Sequence, residues 1–148
     1  TTVKGMLIFP GVTEGHAIAT AALIEYVNIF IVCALVMLVN YAAFGTGELH
    51  DPLTFAWGVT LAWGLGAAYA YLFAVLARYN ATFSALGTVL LRPAFFVSGI
   101  FFTANELPGP LLDVLGWNPL LHAVDIARDG MLFHYQARVT SASYVLVW

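Results

Sequence analysis

The stretch from residue 53 to residue 77, LTFAWGVTLAWGLGAAYAYLFAVLA, contains no charged side chain. A helix needs roughly 20 apolar residues to cross the hydrocarbon core of a bilayer, so this stretch is long enough to span a membrane. Two further stretches have the same character: residues 17–44, with Glu25 as their only charge, and residues 83–103, which contain Arg92. We therefore expect three transmembrane helices, followed by the start of a further span at residues 139–148.

The composition of the whole chain agrees with a membrane protein. Of its 148 residues, 61% are hydrophobic and 9% are charged, and the mean hydropathy is +0.88. A soluble domain carries about 25% charged residues, which it needs to keep its surface in water. The predicted fold class is all-α: a polytopic transmembrane helical bundle with short re-entrant or interfacial helices.

The charged and metal-binding residue types exclude several classes of function. A net charge of -3 gives no basic surface for nucleic acid, which is not expected as a partner. The single lysine, Lys4, lies outside any Walker-type phosphate loop, so the chain has no such ATP site of its own. Cys33 and the histidines lack metal-ligand spacing, and no serine lies in a nucleophile-like context, so we predict no metal, no cofactor and no catalytic residue. The histidines are His16, His50, His122 and His134.

Glu25 and Arg92 are the ionisable residues inside the predicted spans. Each lies about 12–14 Å from the same membrane side at 1.5 Å per residue. An isolated charge at that depth costs at least ~2.5 kcal/mol. Two interpretations remain open: the side chains pair directly or through water, or each extends separately to the interface. Additive effects of Glu25→Gln and Arg92→Gln in a stability cycle would exclude the pair.

Small residues recur at every fourth position of the second span, which places them on one helix face. This pattern predicts a face for close helix packing and leaves open a role specific to a dimer. The residues are Gly58, Ala62, Gly66, Ala70 and Ala74.

Pro93 follows Arg92 in the third predicted span. It has no backbone N–H to donate, so the carbonyl near Val89 loses its helical partner. We expect a kink or break here, which either lines a cavity or only shapes the packing.

The segment at residues 104–138 follows the third predicted span. Residues 105–110, NELPGP, are expected to end the preceding helix, and a short apolar helix is expected at residues 111–116. Asn118 is then expected to cap a second helix at 120–129, with Pro119 in its first position and Gly130 as a left-handed stop. Asp125 and Arg128 can pair on this helix. These short helices, about residues 108–130, should lie at or dip into the interface.

The region from residue 90 to residue 136 resembles the membrane subunit of ABC-2 type transporters, most of all the exporters of capsule, O-antigen, polyol phosphate and related polysaccharides. Residues 6–13, MLIFPGVT, resemble that family's cytoplasmic approach to its third helix. Essentially the whole chain is covered, as a fragment that lacks the amino-terminal part and most of the last helix. The features that carry the resemblance are Arg92-Pro93, Ser98-Gly99-Ile100-Phe101-Phe102, Leu107-Pro108, Asn118-Pro119-Leu120, Arg128 and Tyr135.

The resemblance implies a multi-pass permease of the bacterial inner membrane that pairs as a homodimer within membrane lipid. A separate P-loop ATP-binding subunit would hydrolyse ATP, so the chain itself is a transporter subunit and no enzyme. Its cargo would be a polysaccharide or a lipid-linked glycan. Residues 4–16 and 78–82 would lie in the cytoplasm, and residues 106–135 on the outer face. Alternatives are an ABC-2 permease for a drug, teichoic acid or lipid, a membrane-embedded transferase, or an assembly subunit.

The resemblance also implies two sets of functional residues. The set expected along the transport path is Arg92, Phe95, Phe96, Ser98, Phe101, Phe102, Trp117, Asn118 and Tyr135. The set expected to couple to the ATPase is Met6, Leu7, Phe9, Val12 and Thr13.

Overall fold

The computed structural model describes residues 14–45, 49–80, 82–137 and 141–148. All regular elements in these ranges are helical, which confirms the predicted all-α class. They are α1 (Glu14–Phe44), α2 (Pro52–Tyr79), α3 (Thr82–Val97), a 3₁₀ turn (Ala104–Glu106), α4 (Gly109–Leu115), α5 (Pro119–Met131) and α6 (Ala142–Val147). The chain divides into two units, Thr1–Glu48 and Leu49–Trp148.

α1 is the one helix described in the first unit. Its 31 residues rise about 46 Å. Apolar side chains lie on all sides of it, and Leu23, Ile31 and Leu35 are each 58–60% exposed. A helix of this length that is apolar all round suits a bilayer, because water would not solvate it. Within the described residues, α1 and α2 are the helices with the length and hydropathy of a membrane span.

The second unit begins with the capped start of α2. Asp51 accepts hydrogen bonds from the Leu53 backbone N–H at 3.0 Å and from the Thr54 hydroxyl at 2.6 Å. These bonds, those from Thr54 first, lower the pKa of the Asp51 carboxyl below its ordinary value. Pro52 occupies the first helical turn, where a missing N–H costs nothing.

α5 packs along the first half of α2 and forms the core of this unit. The buried core residues come from α2, α5 and α6 and are Leu61, Leu65, Ala123, Ile126 and Val145. The Asp51 N–H also donates to the Gly130 carbonyl at 2.8 Å. The connection before α2 and the segment after α3 therefore meet at one end of α2, as the alternating direction of the spans requires.

Two glycines allow the backbones of α2 and α5 to touch. A Cβ on Gly58 of α2 would lie 2.4 Å from the backbone N of Ala127, and one on Gly130 of α5 would lie 2.2 Å from the N of Phe55. No side chain fits at either point. The prediction that Gly130 ends its helix in a left-handed conformation is wrong, because α5 continues to Met131. Gly130 serves close packing instead.

α3 is shorter than the predicted span at residues 83–103. Its 16 residues rise about 24 Å, less than the ~30 Å of a hydrocarbon core. Pro93 lies inside the helix, which continues to Val97. The break comes at Gly99, whose φ is +82°. Such a reversal needs the left-handed region, which glycine enters at little cost. Pro93 removes one helical hydrogen bond, the one to the Val89 carbonyl, but the helix continues past it.

Candidate functional site

The chain that leaves α3 is held by one side chain of α5. Arg128 donates from Nη1 to the Phe102 carbonyl at 2.8 Å and from Nη2 to the carbonyls of Gly99 and Ile100, the latter at 3.2 Å. We call this arrangement the Arg128 clamp. Carbonyls just beyond a helix end lack helical partners, and a cation is favoured there. The clamp therefore satisfies the end of α3 and joins it to α5.

Gly99 is required at the clamp for two independent reasons. Its positive φ is unfavourable for other residues, and a Cβ there would lie 2.5 Å from Cδ1 of Leu121. Leu121 and Ser98 are both fully buried. The reversal after α3 is thus packed against α5 as well as hydrogen-bonded to it.

The segment after α5 folds back onto the same helix. The Tyr135 hydroxyl donates to the carboxylate of Asp125, which is fully buried. Burial, followed by this bond to an anion, raises the pKa of the Tyr135 phenol, and Arg128 opposes the shift. One turn along, Asp129 accepts from the Ala137 N–H at 3.2 Å. Tyr135 therefore neighbours both Asp125 and Arg128, whose own predicted pairing stays a prediction.

α6 is attached to α5 through His122. The His122 Nδ1 accepts from the Ser141 N–H at 3.3 Å, and its Nε2 lies 2.9 Å from the Gly116 carbonyl. An acceptor at Nδ1 requires the neutral tautomer that carries its proton on Nε2. The Tyr144 ring lies against His122 with the centroids 4.8 Å apart, and its hydroxyl donates to the Trp117 carbonyl at 3.0 Å.

These contacts line an open cleft of about 430 Å³ between α4, α5 and α6. We call it the aromatic cleft. Trp117 lies at its edge with 74% of its surface exposed, and Asp113 is an exposed acidic residue of the lining. The cleft belongs wholly to the second unit. Its remaining lining comes from Leu112, Gly116, His122, Ser141 and Tyr144.

The residues predicted along the transport path fall into several environments. Arg92 and Phe96 are exposed on α3, and the ring of Phe96 stacks on that of Phe101 with centroids 5.7 Å apart. Asn118 accepts from the Leu120 N–H at 3.1 Å, so its prediction as the cap of α5 is confirmed. The side chain of Phe95 lies outside the described residues. Ser98, Phe102 and Tyr135 lie at or beside the clamp, and Trp117 lies at the cleft.

The described contacts do not test two other sets of predicted residues. Glu25 is exposed on α1, in the first unit, whereas Arg92 belongs to the second. Their pairing stays a prediction. The expected coupling residues all lie outside the described residues, namely Met6, Leu7, Phe9, Val12 and Thr13.

The small-residue stripe is packed at one end within this unit. Gly58 touches Ala127, and Ala62 packs on the core, but a Cβ on Gly66 would meet nothing within 4 Å. Ala70 is exposed. The wider packing role of the stripe stays a prediction.

Sequence reasoning missed the clamp and the Tyr135–Asp125 bond. The sequence did contain one signal for them. Asp125 and Arg128 lie one turn apart on an amphipathic helix, and Ser98-Gly99 interrupts the chain before that helix. No group of three His, Cys, Asp or Glu residues that could hold a metal ion occurs among the described residues.

Comparison with known proteins places this arrangement in a family. The family model for the ABC-2 type transporter matches residues 15–132, a range that includes the clamp. Two curated relatives, both named polysialic acid transport protein KpsM from Escherichia coli, are 26% identical over 149 aligned residues. The alignments cover 98% of this chain and 56% of each relative, so the chain spans little more than half of their length. Because the family match covers most of its residues, the chain belongs to the ABC-2 type transporter family.

Proposed function

We propose that this chain forms part of the membrane-spanning permease of an ATP-driven exporter, which moves polysaccharide or a lipid-linked glycan across the bacterial inner membrane. The observation that carries the proposal is the family match over residues 15–132. The name of the relatives, which refers to polysialic acid transport, supports a glycan as the cargo class. The chain spans 56% of those relatives, so the activity belongs to the whole permease.

The chain contributes movement and a path, without covalent chemistry. A separate P-loop subunit hydrolyses ATP and acts on residues 6–13 at the cytoplasmic side. The backbone contacts of Gly58 and Gly130 join α5 to α2, and the Arg128 clamp joins α5 to the end of α3. A displacement of α2 or α3 therefore carries the short helices with it, since packed backbones do not deform continuously.

The path follows the end of α3 and the short helices on the outer side. Aromatic rings along it present apolar faces to sugar rings, and main-chain and side-chain polar groups bind hydroxyls. Glu25 and Arg92, the ionisable residues of the predicted spans, either pair with each other or extend separately to the interface. The path residues are those set out above: Arg92, Phe95, Phe96, Ser98, Phe101, Phe102, Trp117, Asn118 and Tyr135.

The permease acts as a homodimer. The apolar surface of α1 and the open end of the small-residue stripe near Gly66 and Ala70 are available to lipid or to a second copy. Export of another cargo by the same scaffold is the second candidate, because the family match alone specifies no cargo.

Co-purification from the native membrane tests the ATP-driven step. A tagged protein extracted in mild detergent should bring down a P-loop ATPase in a fixed ratio, and an unrelated tagged membrane protein serves as control. Deleting the gene should remove a glycan from the cell surface and leave it accumulated inside. Absence of any ATPase together with turnover of a lipid-linked substrate by the protein alone would replace the proposal with a transferase. If the deletion strain keeps its surface glycan but retains a drug or a lipid inside the cell, that compound is the cargo instead.

A further inference from the structure

We propose that His122 is a positioning residue of the permease. It couples α6, which is predicted to begin a further span, to the turn between α4 and α5. This role rests on the proposed function and adds α6 to the elements that move together during export. It follows from the two hydrogen bonds of the His122 ring, which lead to different elements of the fold.

The His122 ring lies between the end of one helix and the start of another. It belongs to α5, its Nε2 donates to the carbonyl of Gly116 after α4, and its Nδ1 accepts from the N–H of Ser141 before α6. The His122 side chain is buried, with 9% of its surface exposed. Hydrogen bonds that are shielded from water hold their partners more strongly than exposed ones. One side chain therefore joins three short helices.

Ser141 is the residue at which the direction of α6 is set. Its hydroxyl accepts from the Tyr144 N–H at 3.2 Å and so caps the first turn of α6. The backbone N–H of the same residue donates to His122 at 3.3 Å. Because a capping residue is bonded to the first turn of its helix, an external bond to that residue fixes where the helix begins. The bond to His122 thus fixes the start of α6 relative to α5.

The other contacts of α6 constrain its position less. Val145 belongs to the core with Leu61, but apolar packing is non-directional and leaves the helix free to slide. The Tyr144 hydroxyl donates to the Trp117 carbonyl at 3.0 Å in an exposed position, where water competes for both groups. The buried ring of His122 is therefore the directional link between α6 and the short helices.

Two substitutions separate the two bonds of the ring. The side-chain oxygen of asparagine takes the place of Nδ1, and the side-chain amide of glutamine reaches the place of Nε2. His122→Asn therefore keeps the bond to Ser141 and loses the one to Gly116, whereas His122→Gln does the reverse. His122→Leu removes both. His134→Asn is the control, because His134 is exposed and its φ of +64° also suits asparagine.

The test uses the full permease, expressed in the gene-deletion strain and purified together with its ATPase. Hydrogen–deuterium exchange with mass spectrometry measures opening of the peptide that covers residues 141–147. The functional readout is the amount of surface glycan restored to the cells, divided by the ATPase activity of the purified complex. Thermal unfolding verifies that each variant folds.

We expect His122→Asn and His134→Asn to match the parent protein in both readouts. His122→Gln and His122→Leu should exchange faster at residues 141–147. Their ratio of glycan to ATPase activity should fall by roughly threefold to tenfold, the factor that one lost hydrogen bond gives in an equilibrium. His122→Asn and His122→Gln should melt at similar temperatures, because each loses one bond, so a purely structural role would not separate them.

Equal ratios of glycan to ATPase activity in His122→Asn and His122→Gln would overturn the inference, and so would unchanged exchange at residues 141–147 in His122→Gln. If His122→Leu fails to fold, the comparison of the other two variants decides. These results leave the proposed function standing as long as the parent protein carries an ATPase and restores the glycan. If the parent protein does neither, the proposed function fails, and the role of His122 in export fails with it.

Discussion

Replacing Gly58 by alanine tests whether α2 and α5 touch through their backbones. The added Cβ would lie 2.4 Å from the backbone N of Ala127 and 2.7 Å from its Cα. Ordinary contact begins at 3.4 Å, so the helices must separate by about 1 Å. Backbone atoms cannot rotate away as the end of a side chain can. The separation would therefore extend to the core around Leu61 and Ala123.

Gly66→Ala is the matched control, because Gly66 lies in the same helix and a Cβ added there would have nothing within 4 Å. Both substitutions gain about 0.5–1 kcal/mol from the better helix propensity of alanine. Only Gly58→Ala adds overpacking, which costs about 1–3 kcal/mol. The difference between the two variants is therefore about 1–3 kcal/mol, and the propensity gain cancels from it.

Thermal unfolding in one detergent, followed by circular dichroism, measures this difference. At about 2–4 °C per kcal/mol for a protein of this size, Gly58→Ala should melt about 2–12 °C below Gly66→Ala. Equal melting temperatures would refute the close approach of α2 to α5. If only Gly66→Ala lowers the melting temperature, the closely packed end of the stripe is the one at Gly66, and its partner lies outside this unit.

Three further predictions concern side-chain hydrogen bonds. Arg128→Leu should destabilise the protein by about 2–4 kcal/mol in denaturant titration. Arg128→Lys should lie between this variant and the parent, because a single ammonium cannot donate to three diverging carbonyls. Equal stability of all three proteins would contradict the clamp. Tyr135→Phe should cost about 1–2 kcal/mol by leaving the Asp125 carboxylate short of a donor. Since the folded pKa of Tyr135 is raised, its contribution is complete below the ordinary pKa of about 10 and declines above it, so the variant should lose less stability than the parent in alkali. The lowered pKa of Asp51 has the opposite sign: its contribution is present above the ordinary aspartate pKa of about 4 and is lost in acid, and Asp51→Asn should flatten the acid side of a melting-temperature profile.

The helices that sequence reasoning predicts well are those with a strong local cause. α1 and α2 follow from long runs of apolar residues, and Asp51 with Pro52 marks the start of α2. The start of α5 follows from Asn118 and Pro119, whose capping chemistry is local. These features need no knowledge of which residues become neighbours in space.

The features that sequence reasoning missed depend on main-chain partners that are distant in sequence. Arg128 binds carbonyls 26–29 residues away, and a carbonyl has no residue type by which to recognise it. Gly130 looks like a helix stop, but the approach of Phe55 determines its role. Hydropathy continued the third span to residue 103, because the phenylalanines after Gly99 are as apolar as those before it. Only the backbone reversal distinguishes them.

The shortness of α3 has a consequence for the lipid around it. A helix that rises about 24 Å leaves roughly 6 Å of a typical hydrocarbon layer unmatched. In the permease that we propose, α3 would cross the bilayer and the carbonyls of Gly99, Ile100 and Phe102 would lie close to acyl chains, where an unsatisfied carbonyl costs several kcal/mol. The Arg128 guanidinium, which donates to these carbonyls, would remove that cost, and we expect the bilayer to thin around so short a span. The permease should therefore be sensitive to acyl-chain length, and thick membranes should strain it at the end of α3.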